Sequence, residues 1–165
     1  MSTGHVSTID TPISPFTAVV AADGAVLASG WTADVDDLLP QVSPSLRPTT
    51  LAHRRDLGVV TRAVRAYHAG DVQAITDIPV RQRGGEFMER AWEALRTVPA
   101  GEPVSYADHA ALAGRPSAIR AAATACARNA ATLFVPCHRV IRTGGALGNF
   151  RWGPDVKRWL LAHES

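Results

Sequence analysis

Val135-Pro136-Cys137-His138-Arg139-Val140 puts a thiol, an imidazole and a guanidinium on consecutive residues of a 165-residue chain. A thiol is a nucleophile only as thiolate, so a reactive cysteine needs neighbours that take its proton or stabilise negative sulfur; His138 and Arg139 are groups of those two kinds. Adjacency alone does not join them. In extended backbone, consecutive side chains point to opposite sides and meet only through a turn or a bridging water. A cysteine among apolar residues is also a common inert core residue. Other chemistries have less support. Zinc needs about four ligands, usually including paired Cys or His, and Cys137-His138 has no partner pair at such spacing, so neither metal nor cofactor is expected. A thiol hydrolase could be assembled by residue type from Cys137, His109 or His163, and Asn129, although no hydrolase signature surrounds the cysteine.

The elements that must hold these groups are read from periodicity and turn chemistry. Apolar, partly β-branched residues 130–135 predict a short buried strand delivering Pro136 and Cys137 to its end. Upstream, residues 106–113 and 117–128 predict two helices joined by Gly114-Arg115-Pro116, a helix-turn-helix with Ser117 capping the second. That second helix is alanine-rich, with Arg120 and Arg128 as its long cations. Small side chains allow close approach to another surface, whether a core or a ligand. Residues 142–150 form a glycine-rich loop without phosphate-loop spacing. Residues 154–164 predict a helix with Pro154 in its first turn and Val156, Trp159, Leu160 and His163 on one face. Earlier in the chain, residues 7–32 read as a hairpin or meander turning at Asp23-Gly24, and residues 55–69 as an amphipathic helix stopped by Gly70. A subdomain boundary is expected near Asp77, dividing residues 1–76 from 77–165. Residues 86–98 predict a helix ended by Pro99, with Trp92 on its core side.

The composition is that of a globular protein, 46% hydrophobic and 19% charged. No apolar run approaches the ~20 residues of a membrane span, and the first ten residues lack the basic-then-apolar layout of a secretory signal. A cytoplasmic location is expected, in which Cys126 and Cys137 stay reduced. Charge is uneven: residues 1–100 carry 9 basic and 11 acidic groups, residues 101–165 carry 8 and 4. That asymmetry fits a polyanion meeting the second region, as well as an ordinary solvated surface.

With Ala91-Trp92-Glu93-Ala94-Leu95, Gly101-Glu102-Pro103-Val104-Ser105-Tyr106, Ala111-Leu112-Ala113-Gly114, Ile119-Arg120-Ala121, Asn129, Pro136-Cys137-His138-Arg139-Val140, Gly148-Asn149 and Trp159-Leu160-Leu161-Ala162-His163-Glu164, the chain from Phe87 onward resembles the O6-alkylguanine-DNA alkyltransferase family. Asp10-Thr11-Pro12-Ile13 with Asp23-Gly24 is similar, less specifically, to that family's N-terminal domain. The resemblance implies an α/β (α+β) fold: an RNase H-like β-rich subdomain, then a helical domain with a helix-turn-helix and a short active-site strand. It implies direct-reversal DNA repair, in which an alkyl group moves irreversibly from O6 of guanine, and from O4 of thymine, to Cys137 after minor-groove binding and base flipping. Each molecule would act once. In the roles implied, His138 activates Cys137 through a water, Glu164 orients the imidazole, Tyr106 protonates the departing base, Arg120 fills the vacated stack and Asn129 braces the turn. Ala121, Ser117, Ala127 and Arg128 would join Tyr106 and Arg120 at the DNA; Val140, Asn149, Phe150, Arg151 and Trp92 would line the base pocket. The implied partner is double-stranded DNA containing O6-alkylguanine, bound by a monomer, with cooperative binding along the duplex left open. The alternative reading is a non-catalytic alkylated-DNA recognition protein, whose relatives replace the reactive cysteine.

The chain departs from the family pattern in four places. Phe150 stands where a tyrosine is usual, and one missing neutral hydrogen bond costs about 1 kcal/mol, enough to weaken base discrimination without abolishing chemistry. Arg151-Trp152 replaces small residues and would narrow the pocket mouth. Arg128-Asn129-Ala130 replaces Gly-Asn-Pro, adding a cation and freeing the turn. Cys126 lies within the recognition helix and is expected to be structural.

Overall fold

In the computed structural model, which describes residues 2–165, strands β1 (Thr3–Ile9), β2 (Phe16–Val20) and β3 (Val26–Gly30) form the expected antiparallel meander. The turn between β2 and β3 is closed by Gly24 N–H donating to the Ala21 carbonyl at 2.9 Å, with Gly24 at φ 93°. Strands β2 and β3 are buried at every position, so their sequences read as continuous apolar runs instead of alternating. A fourth strand, β4 (Thr50–His53), joins β1 in parallel and completes the order β3-β2-β1-β4. Residues 35–41 supply two 3-10 turns before it.

Helix α1 (Val59–His68) starts four residues later than the period suggests, because Gly58, at φ 71°, cannot continue a helix backward. Phe16, Trp31, Tyr67, His68 and Phe134 make an edge-on aromatic cluster beside it. These elements lie in the first of two units, formed by the chain up to Arg83 together with Ala130–Phe134. The boundary expected at residue 77 thus falls within this unit's continuous run. Residues 130–135 are buried as expected but are not a regular strand. Ala131 makes a single bridge to Ser29, and Leu133, at φ 81°, turns the backbone out of extended conformation. Ser29 and Thr132 exchange hydroxyl-to-carbonyl bonds of 2.7 and 2.6 Å at this point.

The second unit, Gly84–Asn129 with Val135–Ser165, holds α2 (Glu86–Leu95), β5 (Val104–Ser105), α3 (Tyr106–Leu112), α4 (Ile119–Ala127), β6 (Val140–Ile141) and α5 (Pro154–Glu164). Helices α3 and α4 are the expected helix-turn-helix, and α3 ends at Gly114 with φ 90°. Ser117 does not cap α4: the cap is Ala118, with no side-chain bond. The side-chain cap in this motif is Ser105, whose hydroxyl accepts from Asp108 N–H at 3.0 Å. Of the face expected on helix α5, Leu160 alone is fully buried. Lys157, Leu160 and Glu164 are buried, whereas Trp159 and His163 stack on each other at 4.4 Å, half-exposed. No helix among the described residues is long and apolar enough to cross a membrane.

Candidate active site

Strands β5 and β6 pair in parallel, Val104 opposite Val140 and Ser105 opposite Ile141. Tyr106 follows β5 directly, and the turn Cys137–Arg139 directly precedes β6. That turn is a 3-10 helix, tied by Arg139 N–H to the Pro136 carbonyl at 3.0 Å. The backbone between Cys137 and His138 is therefore not extended, which removes the geometric objection to their cooperation. A short strand does adjoin the cysteine, on its C-terminal side.

His138, Arg139 and Glu164 form one buried network. His138 Nε2–H donates to Glu164 Oε2 at 2.8 Å. Arg139 donates from Nε and Nη2 to both carboxylate oxygens at 2.9 Å, and from Nη1 to the Val98 carbonyl at 2.8 Å. The Arg139 fork already balances the carboxylate, so His138 needs no second proton; its complete burial pushes its pKa below the ordinary value. Glu164 is held at about 2 despite its burial, by its bonds to His138 and Arg139. With the single proton on Nε2, Nδ1 carries the lone pair. Nδ1 is buried and has no hydrogen-bond partner among the described residues. The network presents a neutral, oriented base.

Cys137 is 6% exposed, and burial raises its pKa above that of a free thiol. A hydrogen bond from Asn129 and the charges of Lys157 and Arg151 act in the opposite direction. The resting group is therefore the thiol, and thiolate must form by proton transfer during reaction. The cations that favour its negative form are Lys157 and Arg151, whereas the adjacent Arg139 is committed to Glu164. Asn129 also donates to the Val135 carbonyl at 2.7 Å, bracing the segment that leads into the turn. Tyr106 is pushed up to about 12, mainly by burial, and keeps its proton as a donor at neutral pH. Gly148 packs against it: a Cβ there would lie 2.9 Å from the Tyr106 hydroxyl, and φ is 75°.

Helix α4 buries Ala122 and Ala125 and exposes Arg120, Ala121, Ala127 and Arg128, a cationic, small-sided stripe at helical spacing. Ser117 is exposed just before it. Trp92 points into the packing of α2 on α4, its indole N–H donating to the Ala125 carbonyl at 2.9 Å. Val140 is fully buried, Phe150 half-buried and Asn149 exposed. Arg151 turns to α4, donating to the carbonyls of Ala127 and, at 3.0 Å, Asn129. Cys126 has its own imidazole, lying 3.8 Å from His109 Nδ1.

Two residues of this site escaped the reading of the chain. From sequence, Arg139 reads only as a cation beside sulfur, and Lys157 only as the product of an arginine-rich coding bias. Lys157 is fully buried, with Nζ donating to the Val140 carbonyl at 2.7 Å. One signal was available: it is the single lysine in a chain with sixteen arginines.

A family model described as the 6-O-methylguanine DNA methyltransferase DNA binding domain matches residues 86–165. The bifunctional transcriptional activator/DNA repair enzyme Ada of Escherichia coli is 47% identical over 88 residues, 53% of this chain but only 25% of that protein's length. The methylated-DNA–protein-cysteine methyltransferase of Mycobacterium tuberculosis is 36% identical over 163 residues, covering 97% of this chain and 92% of that one. The crystal structure of Mycobacterium tuberculosis OGT in complex with DNA superposes with a TM-score of 0.80 at 32% identity, over 97% of this chain and 92% of that chain.

Proposed function

The chain belongs to the methylated-DNA–protein-cysteine methyltransferase family, and from that premise we propose that it repairs alkylated DNA by moving the alkyl group from O6 of guanine, or O4 of thymine, onto Cys137. The carrying observation is the unpartnered Nδ1 of a neutral, buried His138 whose other nitrogen is held by Glu164. The Cys137 proton passes to Nδ1 through a bridging water. The sulfur then attacks the alkyl carbon; the S–C bond forms as the C–O6 bond breaks, and its electron pair leaves with the guanine, which Tyr106 protonates. No step regenerates the thiol, so the protein turns over once.

The DNA partner is a duplex bearing O6-alkylguanine. The exposed stripe of Arg120, Ala121, Ala127 and Arg128, with Ser117 and Tyr106, faces its minor groove; Arg120 enters the stack when the base is flipped out. Asn149, Phe150 and Val140 surround the flipped base. The part of the chain from about residue 77 onward carries both the DNA-binding and the acceptor role, and the β-rich part before it is RNase H-like. The protein works in the cytoplasm as a monomer. A role limited to recognition would leave the Cys137–His138 geometry without use.

Incubation with O6-methylguanine duplex DNA, followed by peptide mass mapping, tests the reading. One methyl group per protein on the Cys137 peptide is expected, and an unmodified peptide with intact lesion DNA would refute it.

A further inference from the structure

Arg151 makes contacts that base binding does not require. Its guanidinium reaches from the glycine-rich loop to the carbonyls of Ala127 and Asn129, at the end of α4. Carbonyls there lack intrahelical partners, and the helix dipole favours a cation beside them. One planar guanidinium can serve two such carbonyls at once, which a point-charge ammonium does less well. The same loop is fixed a second time three residues earlier, where Gly148 lies so close to Tyr106 that a Cβ would meet the hydroxyl at 2.9 Å. Residues 148–151 thus touch the first residue of α3 and the last turn of α4, spanning both helices of the helix-turn-helix. Lys157 Nζ also stands 3.5 Å from the Asn149 carbonyl.

We propose that Arg151 is a positioning residue that locks the 148–151 loop to the C-terminal end of α4, so that seating α4 on DNA also sets Asn149 and Phe150 around the base. The proposal rests on the alkyl-transfer reading. Ala130 puts no proline constraint on the turn after Asn129, and Arg151 holds the Asn129 carbonyl from outside. The charge of Arg151 also lies near enough to Cys137 to favour its thiolate, so the loop brings an electrostatic contribution along with the clamp.

The test compares wild type, Arg151→Ala and Arg151→Lys by hydrogen exchange and by single-turnover transfer from O6-methylguanine duplex DNA across DNA concentrations. In Arg151→Ala, amides of residues 127–130 and 148–153 should exchange about tenfold faster, and the saturating transfer rate should fall about tenfold, the scale of losing hydrogen bonds from a charged donor. The half-saturating DNA concentration should shift by less than about threefold, because loop order and not DNA affinity is lost. Arg151→Lys should recover less than about half of the saturating rate, since its ammonium lacks the fork. Unchanged exchange in Arg151→Ala overturns the clamp. So does a defect confined to the half-saturating concentration and steepened by salt, the behaviour of a phosphate contact, or full recovery by lysine. Wild-type protein that takes up no methyl group would instead defeat the functional reading, while the exchange measurement would still decide the clamp.

Discussion

Two thiol–imidazole pairs occur in this chain, Cys137 with His138 and Cys126 with His109, and they differ in what holds the imidazole. Both imidazoles are fully buried, and both thiols are pushed up by burial. His109 donates from Nε2 to the Ala91 carbonyl at 2.8 Å, leaving Nδ1 to accept from the Cys126 thiol. A carbonyl fixes that ring but adds no formal charge, so an imidazolium there would stand in a dry environment without a counter-ion. His138 donates instead to a carboxylate that is itself fixed by Arg139. A proton arriving on Nδ1 of His138 is then stabilised by the charge of Glu164. Possession of a neighbouring base is therefore not what separates the pairs. The difference is whether that base can bear the charge it acquires.

The sharpest test of the comparison exchanges the thiols one at a time. Cys137→Ser should abolish methyl uptake, whereas Cys126→Ser should retain one methyl per protein by mass spectrometry; label on Cys126 in the first variant would make the two pairs equivalent. Next in size, Glu164→Gln should lower the saturating transfer rate of folded protein about a hundredfold, the range of a general-base contribution. It should also cost about 3 kcal/mol in denaturant unfolding, because Arg139 is left buried without its counter-charge. A rate within about threefold of wild type would remove the carboxylate from the explanation.

Acid should expose the same difference. Burial lowers the His138 pKa, so the base stays neutral, and the rate stays flat, as pH falls through 6.5; the acidic limb should lie below that value in a pH–rate profile. Glu164 holds its proton less readily folded than unfolded. Its contribution to stability is therefore complete above about pH 4.5 and is lost as pH falls toward about 2. Acid unfolding of Glu164→Gln should lack that component. Smallest is the effect at the other pair: His109→Gln should cost about 1–3 kcal/mol by weakening the bond to Ala91, with the transfer rate of the folded variant unchanged within about twofold.

How far the chain could be read depended on whether local pattern or tertiary partners decided the outcome. The meander, α1, α2, the helix-turn-helix and α5 all carry a period or a Gly/Pro boundary strong enough to act alone. Strand β4 does not. Its four residues, Thr50-Leu51-Ala52-His53, alternate no apolar side chains and are a strand because β1 offers them a parallel edge. Residues 130–135 have the composition of a strand, yet Leu133 at φ 81° breaks it, a conformation no apolar run announces. In the candidate site, Cys137, His138, Tyr106, Asn129 and Glu164 were legible through family resemblance. The buried stations of Arg139 and Lys157 were not. A charged residue is assigned to the surface by default, and only the distant groups that satisfy it, Glu164, Val98 O and Val140 O, reverse that assignment.

The two-rung ladder between β5 and β6 ties the positions of Tyr106 and Cys137 to each other. Tyr106 immediately follows β5, and the Cys137–Arg139 turn ends one residue before Val140, which pairs with Val104. A single insertion in either strand would slip this register and send alternate side chains to the opposite face, misplacing donor and acceptor together. An insertion would disturb this spacing less in 142–147, where Gly144 and Gly145 already turn the backbone at positive φ, than within the ladder itself.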